Sequence, residues 1–254
     1  MKKISKITNI LIPILTIVVV VLLWFFAFII VGEDVILPSP LQSVSKLWQL
    51  ILSANFWLSL GGTLLRSFLA FVCAFIIAGS LAVLSKFFSK SRRVIRIIVA
   101  MLRALPTIAV VLLLLLWTTS RIAAIVVTMI VVIPVLYSSI IDSFGIIDSN
   151  ILQMCKVYNL SQKVQFKSYI IPQILPITLE NIGRGLAFNI KLMVASEVLA
   201  GTANSIGLMM SQSKIYFETA ELFALVVVTV LIAIIIESVM MKITRIVEVR
   251  YGSR

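Results

Sequence analysis

Histidine is absent from the chain, which removes the commonest general base and the usual zinc ligand. Cysteine occurs twice, as Cys73 in an apolar run and Cys155 in a polar connection; that placement implies no disulfide framework, and both read as small packing groups. Charge is scarce, at 13% of residues against 61% hydrophobic, with a mean hydropathy of +1.16. A soluble domain of this length cannot bury so much apolar surface, so its solvent is largely lipid. Acidic residues are few, 10 against 22 basic, giving a formal charge of +12. The basic surplus sits between apolar runs rather than on one polar face, so nucleic acid is not indicated as a partner. A Gly-x-x-x-x-Gly-Lys-Ser/Thr phosphate loop is also missing, so the chain cannot hold ATP in that way itself. Without a paired-carboxylate or metal-ligand motif, neither an enzyme nor a resident cofactor or metal is expected.

What is present is a series of apolar runs about 20 residues long, the length that crosses some 30 Å of hydrocarbon as a helix. They are Thr8 to Val31, Leu60 to Leu84, Val94 to Trp117, Ile122 to Ile141, Pro176 to Ala200 and Leu222 to Ile243. The expected fold is therefore all-α, one membrane domain over residues 1–254 with six transmembrane helices. The first run follows Lys2, Lys3 and Lys6 but is longer than a signal-peptide core, and reads as a retained anchor. Fifteen lysines and arginines fall in alternate connections and helix ends, against Lys46, Arg121 and Lys214 in the others. Cytoplasmic flanks carry the excess, so both termini are expected in the cytosol of a plasma (inner) membrane protein.

Two connections carry structure of their own. In the external one, Ser39, Pro40 and Gln42 form a capping-box pattern that starts a helix over about 39–52. Its apolar residues Leu41, Val44, Leu47, Trp48 and Ile51 recur at helical spacing, as in a helix lying at the membrane interface. The cytosolic connection, about 142–175, is longer than neighbouring helices need. Asp148 or Ser149 can cap a helix reaching Tyr158, Asn159 can end it in the left-handed conformation, and Ser161 can cap a second helix to Tyr169. Pro172 and Pro176 then argue against one continuous helix into the membrane.

Those residues resemble a known family. Gln153-Met154-Cys155, three residues, Asn159, nine residues, Tyr169-Ile170-Ile171-Pro172 has the spacing of the cytosolic signature of binding-protein-dependent ABC permeases, with Gln153 where the family has glutamate and Asn159 where it has glycine. Ile36-Leu37-Pro38-Ser39-Pro40, Arg103 to Ala109 and Glu197 to Gly201 further resemble the permeases for aliphatic sulfonates, taurine and nitrate. The resemblance implies a type I importer fold with short cytosolic coupling helices, two copies of a separate ATPase that binds the ATP, an extracytoplasmic solute-binding protein, and a second, identical permease chain. It also implies that Ile151, Gln153, Met154, Cys155, Tyr158, Asn159 and Pro172 belong to the ATPase-coupling loop.

Charges within the bilayer cost roughly 2.5–3.5 kcal/mol each at a helix centre on insertion scales. Arg66 and Arg184 lie near helix ends and can snorkel, and Glu180 with Arg184 makes a favourable i,i+4 pair. Arg103, Lys191 and Asn189 fall near mid-depth, and Glu197 lies further along the same run as Lys191. These four are candidates for a translocation path taking a small anionic or strongly polar solute, balanced against internal pairing of the cations with Glu197 or Glu237. An ion-coupled secondary carrier is the competing reading, but such carriers show internal repeats and none is visible.

Overall fold

The computed structural model describes residues 2–145, 153–155 and 157–251. Its elements are α1 (Lys2–Val31), α2 (Pro40–Leu52), α3 (Ala54–Phe87), α4 (Ser89–Ala104), α5 (Thr107–Trp117), α6 (Ser120–Gly145), α7 (Gln162–Gln165), a π-helical turn Phe166–Ile170, α8 (Ile171–Ala200), α9 (Ile206–Ile215) and α10 (Thr219–Tyr251). Among the described residues every regular element is helical.

The predicted outer helix forms as the capping box requires. Ser39 Oγ accepts from the Gln42 N–H at 3.1 Å, and the Ser39 N–H donates to Gln42 Oε1 at 2.8 Å. Gln42 Nε2 also donates to Asp34 at 2.8 Å, tying the cap to the loop before it. Ser43 and Leu50 are the buried positions of α2, while Leu41, Val44 and Trp48 are exposed. Leu41, Val44 and Trp48 of the apolar stripe thus face away from the bundle, while Leu47 packs against the core beside Leu50.

Helix α8 is central, packed against α3, α6 and α10. Close approach depends on small residues: Ala70, Ala74, Ala78 and Ala82 of α3 recur every fourth position and are wholly buried, the pattern that lets membrane helices pack backbone to backbone. At Gly183 of α8 an added Cβ would stand 2.6 Å from Met240 Cβ of α10, so the α8–α10 crossing requires glycine there.

Two sequence expectations are corrected. Val94 to Trp117 is not one straight span, because α4 and α5 meet at a bend of 91°. Pro106 holds Leu105 extended, at φ −67 and ψ 127, since the residue before proline is excluded from the helical region. Conversely, Pro172 and Pro176 do not interrupt the chain's entry into α8, which runs unbroken from Ile171. The π-helical turn Phe166–Ile170 immediately precedes it. Widening the helix there shifts the hydrogen-bond register just before Pro172, whose missing N–H falls in the first turn where it is not needed.

Among the described residues three helices, Ala54–Phe87, Ser120–Gly145 and Thr219–Val249, are long and apolar enough to cross a membrane, or four if the bent α4–α5 pair makes one span. Leu15–Val31 is a shorter apolar helix, and α8 is diluted by Glu180, Arg184, Lys191 and Glu197. Length and hydropathy therefore do not by themselves reach the expected six.

Candidate functional site

The signature residues form a compact turn. Gln153, Met154 and Cys155 are helical, the Tyr158 N–H donates to the Met154 carbonyl at 3.0 Å, and the Leu160 N–H reaches back to Cys155 at 3.0 Å. Between them Asn159 takes φ 50. A left-handed residue followed by a six-to-one bond is the Schellman ending of a helix, and asparagine is the residue after glycine that tolerates it best. Ser161 then starts α7: its Oγ accepts from the Val164 N–H at 3.4 Å, and its carbonyl from the Gln165 N–H at 3.0 Å. Cys155 is wholly buried, whereas Gln153, Met154, Tyr158 and Asn159 are exposed. Val157, which the signature did not single out, is 79% exposed beside them. Ile151 and the proposed caps Asp148 and Ser149 lie outside the described residues. Pro172 sits in the first turn of α8, and after the break at Asn159–Ser161 the chain is helical from Gln162 through α7 and the π-helical turn into α8.

The path candidates divide into buried and exposed groups. Asn189 and Glu197 have no exposed surface, while Arg103 and Lys191 are exposed. Asn189 Nδ2 donates to the Ser67 carbonyl at 2.8 Å and to Ser67 Oγ at 2.7 Å. Arg103 donates to the Pro134 carbonyl at 3.2 Å and to Ser138 Oγ, and lines an open cleft of about 560 Å³ with Thr107, Ser138, Ser139, Asp142 and Asn181. The cation lies at the α4–α5 bend because that bend directs the last turn of α4 toward α6. Lys191 belongs to an uncovered stripe of α8 made by Arg184, Phe188, Lys191, Ala195 and Leu199. Glu180 and Arg184 form the i,i+4 ion pair read from the sequence.

Glu197 pairs with neither Arg103 nor Lys191. Its Oε1 accepts from Arg66 Nε at 2.8 Å, and its Oε2 accepts from Thr63 Oγ1 at 2.8 Å and from the Gly207 N–H at 3.4 Å. Arg66 Nη2 donates on to the Asn204 carbonyl at 2.8 Å, and Thr63 Oγ1 accepts from the Ile206 N–H at 3.0 Å. Arg66 therefore does not snorkel: it is 8% exposed, locked to a carboxylate brought from α8. The network fastens three segments: α3, the end of α8, and the first N–H groups of α9, where a carboxylate also complements the helix dipole. Gly207 must be glycine here, since a Cβ would lie 2.4 Å from Glu197 Cβ. Partners 131 residues apart leave no local signal in the sequence, which is why Thr63 and Arg66 were not recognisable as a pair with Glu197.

Known proteins can be set beside this arrangement. The chain is similar in fold to crystal structures of the MetNI methionine ABC transporter in inward-facing conformations, with TM-scores of 0.59 and 0.60 at 17% and 18% identity, covering 75% of this chain and 93% of those chains. It is similarly related to an amino acid ABC transporter crystallised with histidines, with a TM-score of 0.59 at 17% identity over 76% of this chain and 94% of that one. No curated protein sequence matches the chain. Residues 70–253 match the family model of binding-protein-dependent transport system inner membrane components, a stretch from the middle of α3 through the signature turn to the end of α10. The chain belongs to the family of inner membrane components of binding-protein-dependent transport systems.

Proposed function

We propose that the chain is the permease subunit of an ATP-driven importer in which the turn Gln153–Asn159 receives the movement of a separate ATPase and passes it to α8. The observation that carries the reading is that turn: Met154, Val157 and Tyr158 are 44%, 79% and 71% exposed, an apolar surface on a helix end that would dock into a groove of a partner. Behind it, α7, the π-helical turn and α8 are consecutive helical segments, so a displacement at the turn is delivered to the helix that carries Asn189, Lys191 and Glu197. Gln153 in place of the family's glutamate makes the contact one of packing and neutral hydrogen bonds rather than an ion pair.

Six spans with both termini cytosolic fit the basic-residue distribution, with α1, the bent α4–α5 pair and α8 completing the three long apolar helices. A second, identical permease chain fits the uncovered stripe on α8, because a central helix with one bare face is half of a symmetric path. Two ATPase copies and an extracytoplasmic binding protein accompany it. The solute is small and anionic or strongly polar, of the sulfonate, taurine or nitrate kind: Lys191 stands in the bare stripe and Arg103 in the cleft, both cations at depths where charge is costly.

The test is uptake in proteoliposomes with ATPase and binding protein. Met154→Asp with Tyr158→Asp should abolish substrate-stimulated ATP hydrolysis and uptake while the chain still inserts. Lys191→Gln and Arg103→Gln should each lower uptake with ATPase binding intact. Full hydrolysis and uptake in the Asp double variant would remove the coupling role, and unchanged uptake in both neutralised variants would remove the anionic solute.

A further inference from the structure

Helix α4 divides its circumference into three faces. Ile95 and Val99 are buried against the bundle. Arg92, Arg93 and Arg96 are exposed and, at 100° per residue, fall on an adjoining stripe. Beyond them Val94, Ile97, Ile98 and Met101 form a second exposed stripe, 58%, 53%, 45% and 64% accessible. No acidic residue occurs in α4, and among the described residues none of its arginines is in an ion pair. A surface helix with cations beside an apolar face has the composition of one that meets lipid headgroups and chains together.

At the start of this helix the surface closes into a cavity. Ser85, Lys86, Arg92, Ile141, Phe144 and Gly145 enclose about 240 Å³ where α3 ends, α4 begins and α6 finishes. Lys86 Nζ stands 5.6 Å above the Phe144 ring, a cation–π contact that holds the ammonium at the cavity. Ser85 is buried, its Oγ 3.0 Å from the Tyr137 hydroxyl. Two cations from different helices thus converge on one cavity, and the apolar stripe of α4 leads away from it.

We infer that this corner binds an anionic phospholipid, its phosphate held by Lys86 and Arg92 and its acyl chains lying along Val94, Ile97, Ile98 and Met101. A free phosphate would use the cavity but leave the apolar stripe without a role, whereas a diacyl phosphodiester uses both. The inference requires that the chain resides in a membrane but not that it transports anything, and lipid retention is measured on the chain alone, so its failure leaves the permease reading standing and the reverse also holds.

Native mass spectrometry of the full purified chain, offered equal phosphatidylglycerol and phosphatidylcholine of identical acyl composition, tests it. The wild type should retain phosphatidylglycerol about tenfold in excess, taking roughly a few-fold per cation near a headgroup. Lys86→Gln with Arg92→Gln should bring the ratio near one, Lys86→Arg with Arg92→Lys should restore it, and Lys46→Gln on α2 should leave it unchanged. A melting measurement on each variant separates loss of the site from loss of the fold, and the charge-conserving pair reports on the site even if the neutral pair unfolds. An unaltered ratio in the neutral pair overturns the inference. So does displacement of phosphatidylglycerol by inorganic phosphate at equal concentration, which would make this a free-anion site. Retained lipid with lost ATPase co-purification in the neutral pair also overturns it, assigning the cations to a protein partner.

Discussion

Asn159 and the Arg66–Glu197 pair show how single residues carry this structure. At φ 50 Asn159 occupies a region that costs an ordinary residue about 1 kcal/mol and a β-branched one more. Asn159→Gly should therefore preserve substrate-stimulated ATP hydrolysis, whereas Asn159→Val should lower it by misplacing Met154 and Tyr158 without loss of the membrane domain. Equal hydrolysis in the two variants would detach the turn from coupling. The buried pair makes a different demand, since removing one member leaves the other charge uncompensated, typically at a cost of about 3–5 kcal/mol. Arg66→Met should thus sharply lower the melting temperature in detergent. The double change Arg66→Met with Glu197→Met should recover much of the loss, because it removes both desolvated charges together. Additive damage in the double variant would mean that the hydrogen bonds from Thr63, Gly207 and Asn204, rather than the charges, hold the α3–α8–α9 junction.

Among the elements, α2 and the α4–α5 pair illustrate opposite relations between pattern and form. Helix α2 follows its local signals: cap, proline and apolar stripe agree, and Ser39→Ala should cost about 1 kcal/mol of helix stability. Hydrogen exchange at the amides of Leu41, Gln42 and Ser43 should accelerate several-fold while α3 is unaffected. Unchanged exchange would show that packing on α10, not the cap, fixes this helix. In α4–α5 the apolar run alone reads as one span, yet Leu105 and Pro106 turn it through 91°. The opposite outcome at Pro172 has the same cause seen from the other side, because a proline breaks a helix only where its absent N–H or its ring interferes, and a π-helical turn beside the first turn of α8 removes both conflicts.

For the molecule as a whole, topology is the property most open to direct measurement. In a background lacking Cys73 and Cys155, single cysteines at Ser45 and Ser161 should be labelled by an impermeant reagent from opposite sides of the membrane. Labelling of both from one side would refute six spans with α2 outside. The membrane class, the helical composition, the cap of α2 and the signature turn were legible in the sequence because each depends on neighbours along the chain: hydropathy over an apolar run, a cap over four residues, a left-handed ending at one asparagine. The buried junction of Thr63, Arg66, Glu197 and Gly207 was not legible, and neither were the small-residue contact at Gly183, the bare stripe of α8 nor the cationic cavity between α3, α4 and α6. Each of these joins residues that only helix packing brings together, and a charge such as Arg66 reads locally as one that reaches for water. Sequence by itself determined that the chain is helical and apolar enough for lipid, and how α2 begins and the signature turn ends. Tertiary structure alone decided which polar groups satisfy one another inside the bundle and which remain exposed, because in a medium without water every buried charge must find a partner wherever the fold places one.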